Sequence, residues 1–257
     1  MIRVWRSAGL TVAVTALVLG VGAVQAAAQG VQVVPWTDRV FVSINGGVQT
    51  TAHKTEVRGS FPLYGEVATF DSEVGVEQSS MFDIMGGYRF WQHLAVGVGY
   101  SSYSTTSSAT VEASIPDPLF FDRLHADSST VGGLGHSEDA VYLSFYWLMP
   151  MTNRVEIGVF TGPTFFSLSK DLPANVNVQT GETTISSTTT SSISESGVGG
   201  HFGVDLRYRI ASDLGALRSI AAGVMARYAA GSVTANVQGG QIDVGGFQIG
   251  VGLRFGF

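Results

Sequence analysis

Residues 246–257 read G-F-Q-I-G-V-G-L-R-F-G-F, and from Phe247 onward every second residue is large and apolar: Phe247, Ile249, Val251, Leu253, Phe255 and Phe257. The residues between them, Gln248, Gly250, Gly252, Arg254 and Gly256, are small or polar. A period of two is a strand with one apolar face and one wet or crowded face. A closed sheet with lipid outside needs such a stripe on every strand, because lipid offers the backbone no hydrogen bonds. The rest of the chain can be searched for the same pattern.

Composition agrees with it. Of 257 residues, 45% are hydrophobic and only 13% charged, about half the usual charged share. Yet beyond residue 24 no stretch approaches the roughly 18 uncharged apolar residues of a membrane helix, so the apolar residues are dispersed. The 33 glycines suit tight turns and the curvature of a small barrel. With no cysteine there is no disulfide framework, thiolate metal site or lipidated cysteine. The net charge of −6 becomes about −8 once Arg3 and Arg6 leave with a leader, which argues against nucleic acid as a partner. No metal site and no cofactor are expected.

Residues 1–28 have the parts of a cleaved signal peptide: Arg3 and Arg6, an apolar run from Ala8 to Val24, and the small-residue region Gln25-Ala26-Ala27-Ala28. Residues 29–257 are then one barrel domain. Eight alternating strands are predicted, beginning near residues 39, 82, 94, 141, 155, 201, 219 and 247. Short connections near 91–93, 150–154 and 212–218 alternate with long polar segments at 53–77, 101–135 and 170–196, and with a shorter loop at 230–240. Pro62 and Gly65 are breakers in the first long segment. In the second, Ala109, Val111, Ala113 and Ile115 alternate as a strand beyond the bilayer would. In the third, Asn175 to Val178 before Thr180-Gly181 reads as a polar hairpin clear of the membrane.

The fold class is therefore all-β: an eight-stranded antiparallel transmembrane β-barrel with long extracellular loops. Aromatic girdles check the register. Trp91, Trp147 and Tyr208, with Trp36, Phe90 and Phe257, fall at the short-turn end, and Tyr100 and Tyr228, with Phe165, at the loop end. These features resemble the small outer-membrane β-barrel family of Gram-negative bacteria that includes the OmpA membrane domain and the OmpX and OmpW-type proteins. The resemblance implies the bacterial outer membrane as location and outer-membrane lipids and lipopolysaccharide as surroundings. It also implies a monomer, and recognition of a terminal strand carrying Phe247, Phe255 and Phe257 by the barrel-assembly machinery.

Eight strands enclose a lumen that side chains fill. The inward positions include Asp83, Arg89, Glu156, His201, Asp205, Arg207, Arg227 and Arg254, opposite charges that should pair. Arg89, Arg207, Arg209 and Arg254 lie near the periplasmic end, where water offers an alternative. No catalytic residue is assigned. His136-Ser137-Glu138-Asp139 is the one compact constellation of catalytic types, but neighbours on a strand face opposite ways, so His136 and Ser137 do not share a proton. His201 and Asp205 share a face but sit roughly 13 Å apart. The acids Glu56, Glu66, Asp71, Glu73, Glu77, Asp117, Asp122, Asp127, Glu138 and Asp139 read as a solvated loop surface. The expected role is structural or surface interaction through the loops, without enzymatic activity. A narrow channel or transporter for small solutes or hydrophobic ligands is the alternative, and a lipid-modifying enzyme the third.

Overall fold

A computed structural model describes residues 36–50, 54–75, 78–234 and 241–257, so the signal segment and its cleavage site lie outside the described residues. Among the described residues there are ten antiparallel strands: β1 (Val40–Thr50), β2 (Lys54–Leu63), β3 (Glu66–Gly75), β4 (Ser79–Arg89), β5 (Leu94–Pro116), β6 (Leu124–Pro150), β7 (Val155–Val178), β8 (Ile185–Leu214), β9 (Leu217–Thr234) and β10 (Gln241–Gly256). Eight of them, β1-β4-β5-β6-β7-β8-β9-β10, form a ring that closes where β10 pairs with β1 from Phe41↔Gly256 to Thr50↔Phe247. The closing strand therefore has no free edge in the membrane.

Inside and outside alternate as the pattern requires. On β6, Val141, Leu143, Phe145 and Trp147 are exposed to lipid, while Tyr142, Ser144 and Tyr146 are buried. Close approach explains particular glycines: a Cβ at Gly47 would sit 2.0 Å from the Ile249 carbonyl oxygen. Trp36 departs from the expected girdle. It is 3% exposed, folded beneath the barrel with the Arg209 guanidinium 4.1 Å over its ring, a cation–π contact that shields the indole.

The long segments are not loops. Residues 54–75 form the β2–β3 hairpin, joined by a two-residue turn in which Tyr64 and Gly65 both have positive φ, 53° and 83°. Pro62 belongs to β2, an edge strand, where a missing N–H can be tolerated. β3 pairs with the upper part of β5, Thr69↔Ser114 to Val74↔Ala109. β5 and β6 run unbroken to a turn at residues 117–123, β7 and β8 to a turn at 179–184, and β9 continues to Thr234. Ser- and Thr-rich composition suggested loops, but Thr fits a pleated strand, and on β3, β5 and β7 alternate residues of the extension pack inward. The core of this extension contains Phe70, Val111, Ala113, Ile115 and Val176, with Val74, Ala109, Leu134 and Leu172 beneath. Its tips are tied together: the Tyr64 hydroxyl lies 3.1 Å from the Gln179 carbonyl and 2.9 Å from that of Glu182, and accepts from the Gly181 amide at 2.7 Å.

Candidate functional site

The strand register brings the predicted inward charges into one connected interior. From the outer end, Gln49 donates to the Glu138 carboxylate at 3.2 Å, and Gln248 donates to Gln49 at 2.5 Å. Arg227 donates to Gln248 at 2.6 Å and to Asp83 at 2.9 Å, with its guanidinium 3.7 Å over the Tyr142 ring. Asn45 donates to Asp83 at 2.7 Å and accepts from Arg207 at 2.8 Å. Arg207 pairs with Asp205 at 2.5 Å, and Asp205 pairs in turn with Arg254. Glu156 receives Arg254 at 3.2 Å and Arg89 at 2.7 Å, and Arg89 reaches Asp38 at 4.0 Å.

This spine runs through the barrel from Glu138 to Asp38, and its members are buried. Arg89, Arg207 and Arg254 are therefore enclosed rather than open to periplasmic water, because the Trp36–Asp38 segment covers that end; Arg209, partly exposed, stacks on Trp36. The amides Asn45, Gln49 and Gln248 complete the chain and carry no charge, so a search restricted to charged residues does not find them. Arginines and amides do not relay protons readily, and they interrupt the spine repeatedly.

His201 stands apart from the ion pairs. Its ring nitrogens meet the hydroxyls of Ser144 and Thr164, both at 2.9 Å, and Tyr142 meets its ring edge-on. Beside the spine lies an apolar cluster of Phe41, Met81, Met85, Ala95, Tyr146, Leu148, Phe160 and Met225.

His136 and Glu138 are buried and face the interior, whereas Asp139 accepts from the Tyr100 hydroxyl at 2.7 Å on the outer side. Glu138 is thus an interior acid rather than a loop acid; its Oε1 also accepts the Gly245 amide at 2.9 Å, and its Oε2 lies 3.8 Å from His136 Nε2. Alternation keeps Ser137 on the face opposite His136. Directly across from His136 on β7 is Lys170, also buried. Lys170 continues the inward series Glu156, Phe160, Phe166, Leu168; reading β7 beyond Phe166 would have found it.

The proposed girdle residues Trp91, Tyr100, Trp147, Tyr208 and Tyr228 project outward, as do Phe247 and Phe257, with Phe255 half-buried. Among the loop acids, Arg58 lies 3.3 Å from Glu56 and 3.0 Å from Asp71, Asp127 accepts the Ile185 amide, and Glu66 accepts that of Asp122; Glu77 lies outside the described residues. Asp117 holds the β5–β6 turn by accepting the Leu119 and Phe120 amides, and its bond from His125 lowers its carboxyl below the usual range. Among the described residues no group of three or more His, Cys, Asp or Glu is arranged to hold a metal ion.

A search of curated proteins finds no match. Among solved structures, OprG from Pseudomonas aeruginosa is 11% identical, with 88% of this chain and 99% of that chain covered and a TM-score of 0.44. The outer membrane protease OmpT from Escherichia coli gives the same identity, coverages and TM-score. Ail from Yersinia pestis, solved with the heparin analogue sucrose octasulfate, is 13% identical over 84% of this chain and 99% of that chain, with a TM-score of 0.34. The family model described as "Outer membrane protein beta-barrel domain" matches residues 14–255. With its eight-stranded ring, lipid-facing stripe and match over nearly its full length, the chain belongs to the outer membrane protein beta-barrel domain family, whose place is the bacterial outer membrane.

Proposed function

We propose that this barrel is non-enzymatic and acts in surface interaction through its extracellular extension, with the membrane portion as its anchor. The observation that carries this reading is the β5–β6 tip. Leu119 and Phe121 are 82% and 77% exposed, and Phe120 and Leu124 beside them are also exposed. This is the far end of a strand pair that rises beyond Tyr100 by roughly 50 Å of chain. No bilayer is available there to cover these side chains. Clustered exposed apolar residues on a folded surface mark a contact site.

Replacing Leu119, Phe120 and Phe121 together with serine should abolish attachment of cells displaying the protein to the surface they bind, while the folded barrel should still migrate differently on a denaturing gel before and after boiling. Attachment that is absent from the wild type, or unaltered by the triple change, rejects the proposal. The interior supports the same reading, since the buried polar spine and the apolar cluster both occupy it. In planar bilayers the wild type should give no unitary current; a reproducible one would establish the conduit reading instead. His136 faces the opposite way from Ser137 and among the described residues has no hydrogen-bonded nucleophile, which is the arrangement expected of the non-enzymatic reading. Unchanged lipid A chemistry with and without the protein is the corresponding expectation.

A further inference from the structure

Lys170 differs from the buried arginines below it. Arg89, Arg207, Arg227 and Arg254 each face a carboxylate, whereas the Lys170 Nζ makes one hydrogen bond, 2.7 Å to the Thr55 hydroxyl on β2. Among the described residues it has no carboxylate partner, although it is only 2% exposed. An ammonium taken out of water without a counter-charge is strongly disfavoured. Burial alone lowers its pKa to about 8.

The surroundings add unused hydrogen-bonding capacity. His136, the cross-strand partner of Lys170, is 5% exposed, and among the described residues neither of its ring nitrogens has a hydrogen-bond partner. Its ring is held edge-on to Tyr103. Paired residues on adjacent strands project to the same side, so the amine stem and the imidazole enter the same layer of the interior. Apolar Val74, Ala109, Leu134 and Leu172 pack in the neighbouring layer of the extension. Among the described residues, an amine with one hydrogen bond, a hydroxyl and an imidazole with no hydrogen bond form a donor-rich station from three strands.

The wall also opens here. Pairing between β6 and β7 ends at His136↔Lys170, and beyond it the strands part, bridged by Asp171, which accepts the Gly135 amide at 3.0 Å and the Ser192 hydroxyl at 2.5 Å. Two negative charges oppose an anion at this fork: Asp171, with its oxygens already committed to those donors, and Glu138, whose Oε2 lies 3.8 Å from His136 Nε2 and whose Oε1 accepts from Gln49 and the Gly245 amide. The fork lies five residues beyond Phe165 of the outer girdle, roughly 16 Å along the strand, at or just above headgroup height.

We propose that Lys170, with Thr55 and His136, forms a binding site for a small oxyanion of the phosphate class, entering at the fork between β6 and β7 either as free phosphate or as a phosphate monoester on a lipid. The ammonium supplies the counter-charge, and the hydroxyl and imidazole N–H groups orient the remaining oxygens.

Two measurements test this on the full mature protein in a phosphate-free maltoside detergent. In the first, calorimetric titration with inorganic phosphate should show one saturable site in the wild type. In the second, native mass spectrometry after incubation with phosphatidic acid should show one retained lipid. Lys170→Met, which keeps the stem and removes the charge, should weaken binding at least tenfold. His136→Phe, which keeps the edge-on ring contact with Tyr103, should also weaken it, and Lys170→Arg should retain it. The heat-dependent gel shift identifies folded variants, and Lys170→Gln with the same readouts replaces Lys170→Met if that variant does not fold. Binding that depends on Lys170 in either arm establishes the site, and the arm identifies the source of the phosphate. Absence of saturable binding in both arms, or binding unchanged by loss of the Lys170 charge, overturns the proposal.

Discussion

Below the outer aromatic girdle the barrel encloses its charge network, beside one apolar cluster, and is apolar outside; above it the same strands enclose mainly apolar residues and are polar outside. On β5, Val96, Val98 and Tyr100 face lipid from even positions, whereas Ala109, Val111, Ala113 and Ile115 fill the extension from odd ones. The strand does not reverse its faces: odd residues point inward throughout. The surrounding solvent changes, and the apolar residues move to the other phase of the alternation. On β6 an extra residue opposite Ser107 and Ala109, with Gly133 at φ 73°, does shift the inward positions, from even (Leu134, His136, Glu138) to odd (Val131, Ser129). A phase switch in a continuous strand is thus a sequence mark of the bilayer's outer boundary.

The contrast predicts that one kind of damage should stay on its own side. Arg254→Met leaves Asp205 and Glu156 buried with a charge partner removed, a loss of about 3–5 kcal/mol. The folded band on an unboiled gel should then melt at lower temperature, with the extension no more sensitive to protease. Phe70→Ala in the upper core also reaches about 3–5 kcal/mol as a ceiling, since an open-ended extension can relax around the cavity. Its signature should be the reverse: rapid proteolysis between residues 54 and 75 with unchanged barrel melting. If both changes altered both readouts equally, the two regions would be one cooperative unit.

Val98→Arg on the lipid face should cost about 2–4 kcal/mol of insertion, while Thr110→Arg on the outer face of the same strand should be nearly neutral. Equal penalties would mean that the solvent boundary lies elsewhere. The smallest effect is expected at Tyr64→Phe, about 1 kcal/mol from the lost hydroxyl bonds to the β7–β8 turn. Hydrogen exchange should quicken at the Gly181 amide and not in the membrane strands.

Much of the membrane portion was legible because lipid imposes one rule on every strand. The facing of Phe82, Trp147, Tyr208 and Phe247 follows from alternation alone. The extension was read only in part: Ala109 to Ile115 showed alternation, but polar Ser104 to Ser108 interrupted it and obscured the strand's continuity. The inward charges were identifiable as a set, but their pairs were not. Arg227 meets Asp83 across 144 positions of sequence, a contact set by ring register and not by any local pattern. Trp36 was misplaced because its aromatic character suits both a lipid interface and a stack on Arg209.

The β2–β3 hairpin enters the ring's path between two strands that pair with each other: β1 meets β4 from Val40↔Tyr88 to Gln49↔Ser79. The ladder of the barrel therefore owes nothing to the residues separating Thr50 from Ser79, and a two-residue turn in their place would leave an ordinary eight-strand ring. The consequence is modular. Such an excision keeps the part that lives in lipid and uncovers the apolar floor at Val111 and Ile115, so the hairpin serves as a removable roof for architecture that other strands had already raised.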